Sequence, residues 1–262
     1  MILDRFKLTD RVAIVTGAGR GIGEAIALAY AEVGAHVVVA ARTQGAIEET
    51  AARARDCGVR AIAVPCDVTV QEQLENLIAA TMSEFGRIDL LVNNAGGWPP
   101  QPALQTTPKE FTAAFQFNVT SAFALTQLAV PRMVETAGEG AVINISSVAG
   151  REISPCFAAY GTAKAALSFL TQELAQDFAP KVRVNAIAVG SILTQALESI
   201  LTEDIEKKMV DLTPLARLGN VEDIAACALY LASPAASYVT GEIFGVNGGL
   251  TSLNMKMPRA FE

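Results

Sequence analysis

Short apolar runs alternate with longer stretches of helical spacing along almost the whole chain. In the first half the runs are Val12-Ala13-Ile14-Val15, Val37-Val38-Val39, Ala61-Ile62-Ala63-Val64 and Leu90-Leu91-Val92. They are rich in β-branched residues and leucine and too short for helices. Between them the spacing predicts helices over 24–33, 43–57 and 70–85, the last two stopped near Gly58 and Gly86. The second half continues the pattern. It predicts helix over most of 108–134, a strand at 141–145, a helix over 158–178 and a strand at 182–187. Helices over 197–212 and 221–231 and a last strand at 243–246 follow. Strand, helix, strand with short connections requires crossovers, and crossovers mean a parallel sheet. Nearly continuous apolar strands suit a sheet covered on both faces. The expected class is therefore α/β, one doubly wound parallel sheet with helices on both faces over 1–250, and 251–262 as a C-terminal tail. In such sheets a ligand sits beyond the carboxyl ends of the strands, where strand order reverses.

Composition narrows the possibilities. The chain has 262 residues, 51% of them hydrophobic and 18% charged. That is ample material for a core and too little charge for a disordered chain. Lys and Arg number 20 against 27 Asp and Glu, a net charge of −7. With no compact basic run, a nucleic-acid partner is not expected. The most apolar stretch, 25–41, is interrupted by Glu32, Gly34 and His36 and is short for a membrane span, so no membrane partner is expected either. The first eight residues, with Asp4, Arg5 and Lys7, do not read as a secretion signal. Cys57, Cys66, Cys156 and Cys227 match no metal or redox spacing and read as reduced, mostly buried thiols of a cytoplasmic protein. A single histidine, His36, argues against a histidine triad or a metal site, and it reads as a strand-edge residue without a partner. Acid/base chemistry near neutral pH must then use another group.

Candidate chemistry lies just after the strands. The first strand leads into Gly17, Gly21 and Gly23, a G-x-x-x-G-x-G spacing that carries Arg20 and Ile22. The strict G-x-G-x-x-G fingerprint fails, because counted from Gly17 its last place is Ile22. Glycines let backbone approach a phosphate, and the following helix aims its N-terminal N–H groups at the anion. After the first strand of a βαβ unit this reads as a Rossmann-type dinucleotide site, the plain alternative being an ordinary tight turn. The second strand ends at Ala40-Ala41-Arg42, where NAD sites usually carry an acidic residue. Arg42, with Arg20 in reach, suits a 2′-phosphate, so NADP(H) is favoured and NAD(H) remains possible. Arg42 could equally be a solvated strand-end charge. Asp67 and Val68 follow the third strand, and Asp67 could meet an adenine amino group or cap the next helix. Asn93-Asn94-Ala95-Gly96 follow the fourth. Tyr160 and Lys164 are four apart on one helix and face the same way. Ser147, just after a strand, can meet the same pocket. A cation beside a phenol favours its ionised form.

These motifs together resemble the short-chain dehydrogenase/reductase family over nearly the whole chain. The stretches 185–194 and 241–249 and Asn118 add to the resemblance. It implies Tyr160 as general acid/base, Ser147 on the substrate oxygen, and Lys164 on the nicotinamide ribose and lowering the tyrosine pKa. It implies Asn118 in a water-linked relay to Lys164. Cofactor contacts would come from Gly17, Arg20, Gly21, Ile22, Gly23, Arg42, Asp67, Val68, Asn94, Ala95 and Gly96, from Tyr160 and Lys164, and from the backbone near Ile192 with Thr194. Two positions depart from the family pattern, Val189 and Val221 standing where proline is usual. Residues 193–214, with Leu197, Ile200, Leu201 and Met209, resemble the family's substrate lid, and simple amphipathic packing explains them equally well. Trp98, Pro99 and Pro100 would form a loop near the pocket mouth. The implied activity is an NADP(H)-dependent interconversion of a carbonyl and a secondary alcohol in a homotetramer. The family covers 3-oxoacyl thioester, steroid and sugar or polyol substrates. A non-catalytic dinucleotide-binding redox sensor is the reading from another class.

Overall fold

Every predicted apolar run forms a strand, and all seven strands join one parallel sheet. A computed structural model describes residues 1–198, 201–255 and 257–259. The strands are β1 (Val12–Thr16), β2 (His36–Ala41), β3 (Ala61–Pro65), β4 (Leu90–Asn93), β5 (Gly140–Ser147), β6 (Val182–Val189) and β7 (Ile243–Val246). Their order is β3-β2-β1-β4-β5-β6-β7. The chain builds outward from β1 to β3, then crosses back to lay β4 against the other side of β1. Strand order therefore reverses between β1 and β4, and the loops after these two strands part to leave a crevice.

The helices are α1 (Gly21–Glu32), α2 (Gln44–Asp56), α3 (Gln71–Phe85), α4 (Pro108–Phe115), α5 (Ser121–Ala137), α6 (Ala158–Phe178), α7 (Gln195–Glu198), α8 (Glu203–Asp211) and α9 (Val221–Ala232). Alternate residues of each strand serve opposite faces. Ala13, Val15, Val37 and Val39 pack with Ile26 and Tyr30 of α1 and Ile224 of α9. Val12, Ile14 and Val38 pack with Leu74 and Leu77 of α3, Leu125 of α5 and Leu174 of α6. No helix among the described residues is long and apolar enough to cross a membrane.

Local chemistry decides where the elements stop. Gly86 and Gly138 end α3 and α5 in the left-handed conformation. Thr107 caps α4, with Pro108 at its first position and Glu110 closing a capping box. Asn220 and Asp223 form the same box at α9, so Val221 sits at a first helical position without its usual proline. Two predicted helices are divided. Within 108–134, a π-helical turn at Gln116–Thr120 separates α4 from α5. Within 197–212, Thr202 starts α8 afresh by accepting a hydrogen bond from Ile205 N, and α7 is a separate turn. Ile200 lies outside the described residues.

Two readings of single residues are corrected. His36 has partners: its Nδ1 accepts from Arg60 N at 3.1 Å, and its ring stacks on Phe85 at 5.7 Å. The cysteines are all free, but only Cys66 is buried, and Cys57 is exposed. Cys57 follows the last turn of α2, where the helix has already left the core.

The edge opposite the crevice is held by a buried charge. Asp89, 1% exposed, accepts from Arg11 at 2.9 Å, from Arg87 at 2.6 and 2.8 Å, and from Val12 N at 2.9 Å. It ties the starts of β1 and β4. Without Asp89, Val12 N loses its side-chain acceptor, at about 1–3 kcal/mol, while Arg11 and Arg87 are exposed enough to be hydrated. Asp89→Ala is expected to lower unfolding free energy by about that amount in urea titration, with catalysis at the far edge spared.

Candidate active site

The crevice floor is made of backbone that tolerates no side chain. Gly17 and Gly21 both have positive φ, 63° and 60°. A Cβ on Gly23 would lie 2.4 Å from Asn94 Nδ2 and 2.5 Å from Gly17 O. The loop is thus pressed against Asn94, which donates to Thr16 O at 2.9 Å and to Gly17 O at 3.2 Å. Thr16 Oγ1 accepts in return from Asn94 N and Ala95 N, at 3.0 and 3.1 Å. These bonds lock the loop after β1 to the loop after β4. The strand-end position of Thr16, adjoining the glycines, is the only signal that marked it beforehand.

On the other side of β4 a second set of amides fixes the catalytic wall. Asn93 donates to Asn144 Oδ1 at 2.9 Å, and Asn144 donates to Thr171 on α6 at 2.9 Å. Asn118, 1% exposed, sits in the π-helical turn. Its Oδ1 accepts from Gly97 N at 2.8 Å, and its Nδ2 donates to Gly97 O at 3.0 Å and Ala114 O at 2.8 Å. The wider π turn brings this side chain to the loop after β4, a use that such turns often have at functional sites. A Cβ on Gly96 would meet Asn118 Oδ1 at 2.8 Å and Lys164 Nζ at 3.0 Å. Asn118 and Lys164 therefore approach the same glycine, and Asn118 acts first as a clamp on the loop.

α6 rests directly on the turn after β5. A Cβ on Gly150 would lie 2.7 Å from Lys164 C, and one on Gly161 would lie 2.8 Å from Ala149 O. This close seating sets Ser147, Tyr160 and Lys164 on one wall. Ser147 Oγ accepts from Ala149 N at 3.1 Å. Lys164 Nζ donates to Ile145 O at 2.7 Å and lies 5.8 Å from the centre of the Tyr160 ring. Burial pushes the Lys164 ammonium down to about 7. Burial also raises the Tyr160 phenol above its ordinary value, with the hydrogen bond of the Ser147 hydroxyl pulling the other way. Desolvation, which penalises both charged forms, dominates at the phenol, and the expected lowering by Lys164 does not enter.

A cleft of about 330 Å³ brings together Gly17, Arg20, Gly21 and Ile22 on one side and Asn94, Gly96, Ser147, Tyr160, Lys164 and Thr194 on the other. Val189 and Gly190 also line it, as do Ser146 and Gln195, which were not singled out beforehand. Gly190 is needed because a Cβ there would lie 2.6 Å from Asn247 Cα. Thr194 caps α7 and faces Gly21. Ile192 lies one step back, paired with Gly219, and lines an adjoining space of about 350 Å³ with Trp98, Leu197 and Met209. Val68 is buried. Asp67 neither caps α3 nor stands free: it accepts from Thr69 N and Thr69 Oγ1 at 2.9 and 2.7 Å. These bonds, with Arg42 nearby, hold its carboxyl below the usual range. Arg20 and Arg42 are exposed, and among the described residues neither takes part in an ion pair.

Residues 17–251 match the family model described as enoyl-(acyl carrier protein) reductase. An uncharacterized oxidoreductase of Mycobacterium tuberculosis is 51% identical over 259 residues, 98% of each chain. A solved 7α-hydroxysteroid dehydrogenase complexed with NADH and 7-oxo glycochenodeoxycholic acid is 42% identical, with a TM-score of 0.91 over 94% of this chain and 96% of that one. A gluconate 5-dehydrogenase from Burkholderia cenocepacia, in complex with NADP and tartrate, is 33% identical, with a TM-score of 0.90 over 96% and 99%.

Proposed function

The chain belongs to the short-chain dehydrogenase/reductase family and is an oxidoreductase of hydroxyl and carbonyl groups, and from that premise we propose that it interconverts a ketone and a secondary alcohol with NADP(H), Tyr160 being the general acid and base. The observation that carries this reading is the convergence of Ser147, Tyr160 and Lys164 on the cleft floored by the glycine loop. What a nicotinamide dinucleotide supplies there is a donor or acceptor of hydride.

The residues fit such a cofactor. The positive-φ glycines and the N–H groups at the start of α1 suit a pyrophosphate, and a Cβ at Gly17 or Gly23 would collide with Asn94 and one at Gly96 with Asn118, so glycine is what lets these loops close into the cleft. Asp67 and Val68 suit the adenine, Tyr160 and Lys164 the nicotinamide ribose, and the Ile192 backbone with Thr194 the carboxamide. In reduction Tyr160 gives its phenolic proton to the substrate oxygen, and in oxidation it takes that proton back. Ser147 donates a hydrogen bond to the same oxygen and so fixes the carbon's distance and angle. Lys164 opposes the cost of negative charge on the phenol, and Asn118 holds the loop on which Lys164 bears.

One relative was solved with NADH and another with NADP, so the family alone does not choose. Arg20 and Arg42, both exposed, support NADP(H) here. A charge-assisted bond to a 2′-phosphate is worth about 1.5–3 kcal/mol. Arg42→Asp is expected to lower the ratio of kcat/KM with NADP to that with NAD by about 10- to 100-fold. A ratio that stays put refutes the preference. The reading as a whole is tested by following nicotinamide absorbance with a panel of ketones, 3-oxoacyl thioesters, steroids and polyols, each with both cofactors. Tight cofactor binding with no turnover of any substrate would favour the redox-sensor alternative.

Assembly belongs to the same proposal. Phe111, Phe115, Phe123 and Phe169 of α4, α5 and α6 are exposed, an apolar surface that suits burial against further copies in a homotetramer.

A further inference from the structure

The segment after β7 has no task in the chemistry described so far, yet it is held as firmly as a core element. Asn254 is 4% exposed. Its Oδ1 accepts from Ser191 Oγ at 2.6 Å, and its Nδ2 donates to Met209 O at 3.1 Å and to Thr213 Oγ1 at 3.0 Å. Ser191 lies just beyond β6, while Met209 and Thr213 belong to the end of α8 and the residue pair after it. One side chain therefore ties the lid helix to the strand end beside the catalytic wall. A second tie follows, where Cys156 Sγ donates to Pro258 O at 3.6 Å. Cys156 lies between Ser147 and Tyr160 in the chain, so the tail touches both walls of the cleft. A buried amide with its donors used twice and its oxygen once specifies one arrangement.

That arrangement borders an open, largely apolar chamber. The space of about 350 Å³ beside Tyr160 shares Met209, Asn254 and Met255 with a larger cavity of about 710 Å³. Ile205, Leu212 and Met257 give the larger cavity apolar walls. Among the described residues its charged neighbours, Lys208 and Asp211, are opposite in sign. A sugar or polyol body there would leave hydroxyls without partners, at a cost of roughly 1–3 kcal/mol each. An apolar body loses nothing, and methionines adapt to its shape.

We propose that the tail, latched by Asn254, forms the far wall of the substrate site, and that this site takes a ketone or secondary alcohol with a bulky, uncharged apolar body. The reactive carbon lies at Tyr160 and the body between α8 and the two tail methionines. This rests on the oxidoreductase reading and adds to it the substrate class and a positioning residue, Asn254. Fused rings and a long alkyl chain share the required chemistry.

The test uses the full-length protein with each nicotinamide cofactor and three ketones: cyclohexanone, a decalone and a long-chain 2-alkanone. The wild type is expected to prefer one of the large ketones over cyclohexanone by roughly tenfold or more in kcat/KM. The arm that responds identifies rings or chain. Asn254→Ala should lower that preference by roughly tenfold, mainly through KM for the large ketone. Met255→Trp, which fills the chamber and leaves the latch alone, should do the same, and it carries the test if Asn254→Ala does not fold. An equal loss on large and small ketones in Asn254→Ala, or an unchanged preference in Met255→Trp, overturns the proposal. Turnover confined to polyols overturns the substrate class and leaves the oxidoreductase reading intact. Absence of any turnover overturns both.

Discussion

Replacing Tyr160 by phenylalanine is expected to lower ketone turnover by about 10²–10⁴-fold while cofactor affinity changes little. The geometry makes this variant informative. Gly150 and Gly161 let α6 sit on the turn after β5 with no intervening side chain, so the ring position is set by backbone contact. The ring also packs against Phe157, with centroids 6.3 Å apart, and phenylalanine keeps that contact. Only the hydroxyl is lost. Because burial raises the phenol above its ordinary value, Tyr160 is protonated near neutral pH, which is the form that reduction requires. Oxidation requires the ionised form, so alcohol oxidation should rise with pH over a range in which ketone reduction does not. Single-turnover kinetics and cofactor titration by fluorescence check both halves. Turnover within about threefold of wild type would mean that the proton comes from another group.

The features legible in the sequence are those set by local pattern. Seven apolar runs became seven strands: β1, β2, β4, β5 and β6 are buried on both faces, which leaves a near-continuous apolar run, while the edge strands β3 and β7 keep the run though only partly buried. The glycine loop was readable because positive φ at Gly17 and Gly21 and the crowding at Gly23 admit no other residue. Tyr160 and Lys164 were readable from helical spacing, and Ser147 from its place beyond a strand. The two amides after β4 read as able to lock adjacent loops, but their partners, distant in the chain, escaped. The Thr16–Asn94 lock spans 78 positions, and Asn93 meets Asn144 across 51. No pattern in either neighbourhood signals the other. The π turn that aims Asn118, and the new start of α8 at Thr202, interrupt helices whose hydrophobic spacing reads as continuous. His36 looked solitary because Arg60 and Phe85 reach it from the next strand and helix.

The catalytic wall combines rigid support with an unfavourable charge. Asn93, Asn144 and Thr171 form a buried chain of amide and hydroxyl bonds in which every partner is protein. The chain holds β4, β5 and α6 in register behind the reacting groups. Against that rigid backing, Lys164 is buried at a cost in stability, an environment that accords with the proposed chemical role.

Lys164→Met should therefore separate stability from activity. The methionine fills similar space but carries no charge and no donor for Ile145 O. Catalysis is expected to fall by about 10²–10³-fold, the range seen when one electrostatic group is removed from a reacting site. The free enzyme holds Lys164 at about 7, so in wild type kcat/KM for the cofactor should fall as pH rises through that value and the ammonium is lost. The variant should lack this limb. Stability moves the other way. Between about 7 and the ordinary lysine value of 10.5 the unfolded chain binds a proton that the folded chain has shed. Wild-type stability from this residue therefore rises with pH across that window, being lowest where both states are protonated. In Lys164→Met the slope should flatten, with stability at pH about 6 level with or above that of wild type. Urea titrations at several pH values, set beside the rate profile, check the two together. A variant that loses stability and activity in parallel, with the pH limb unchanged, would show that Lys164 serves packing rather than charge.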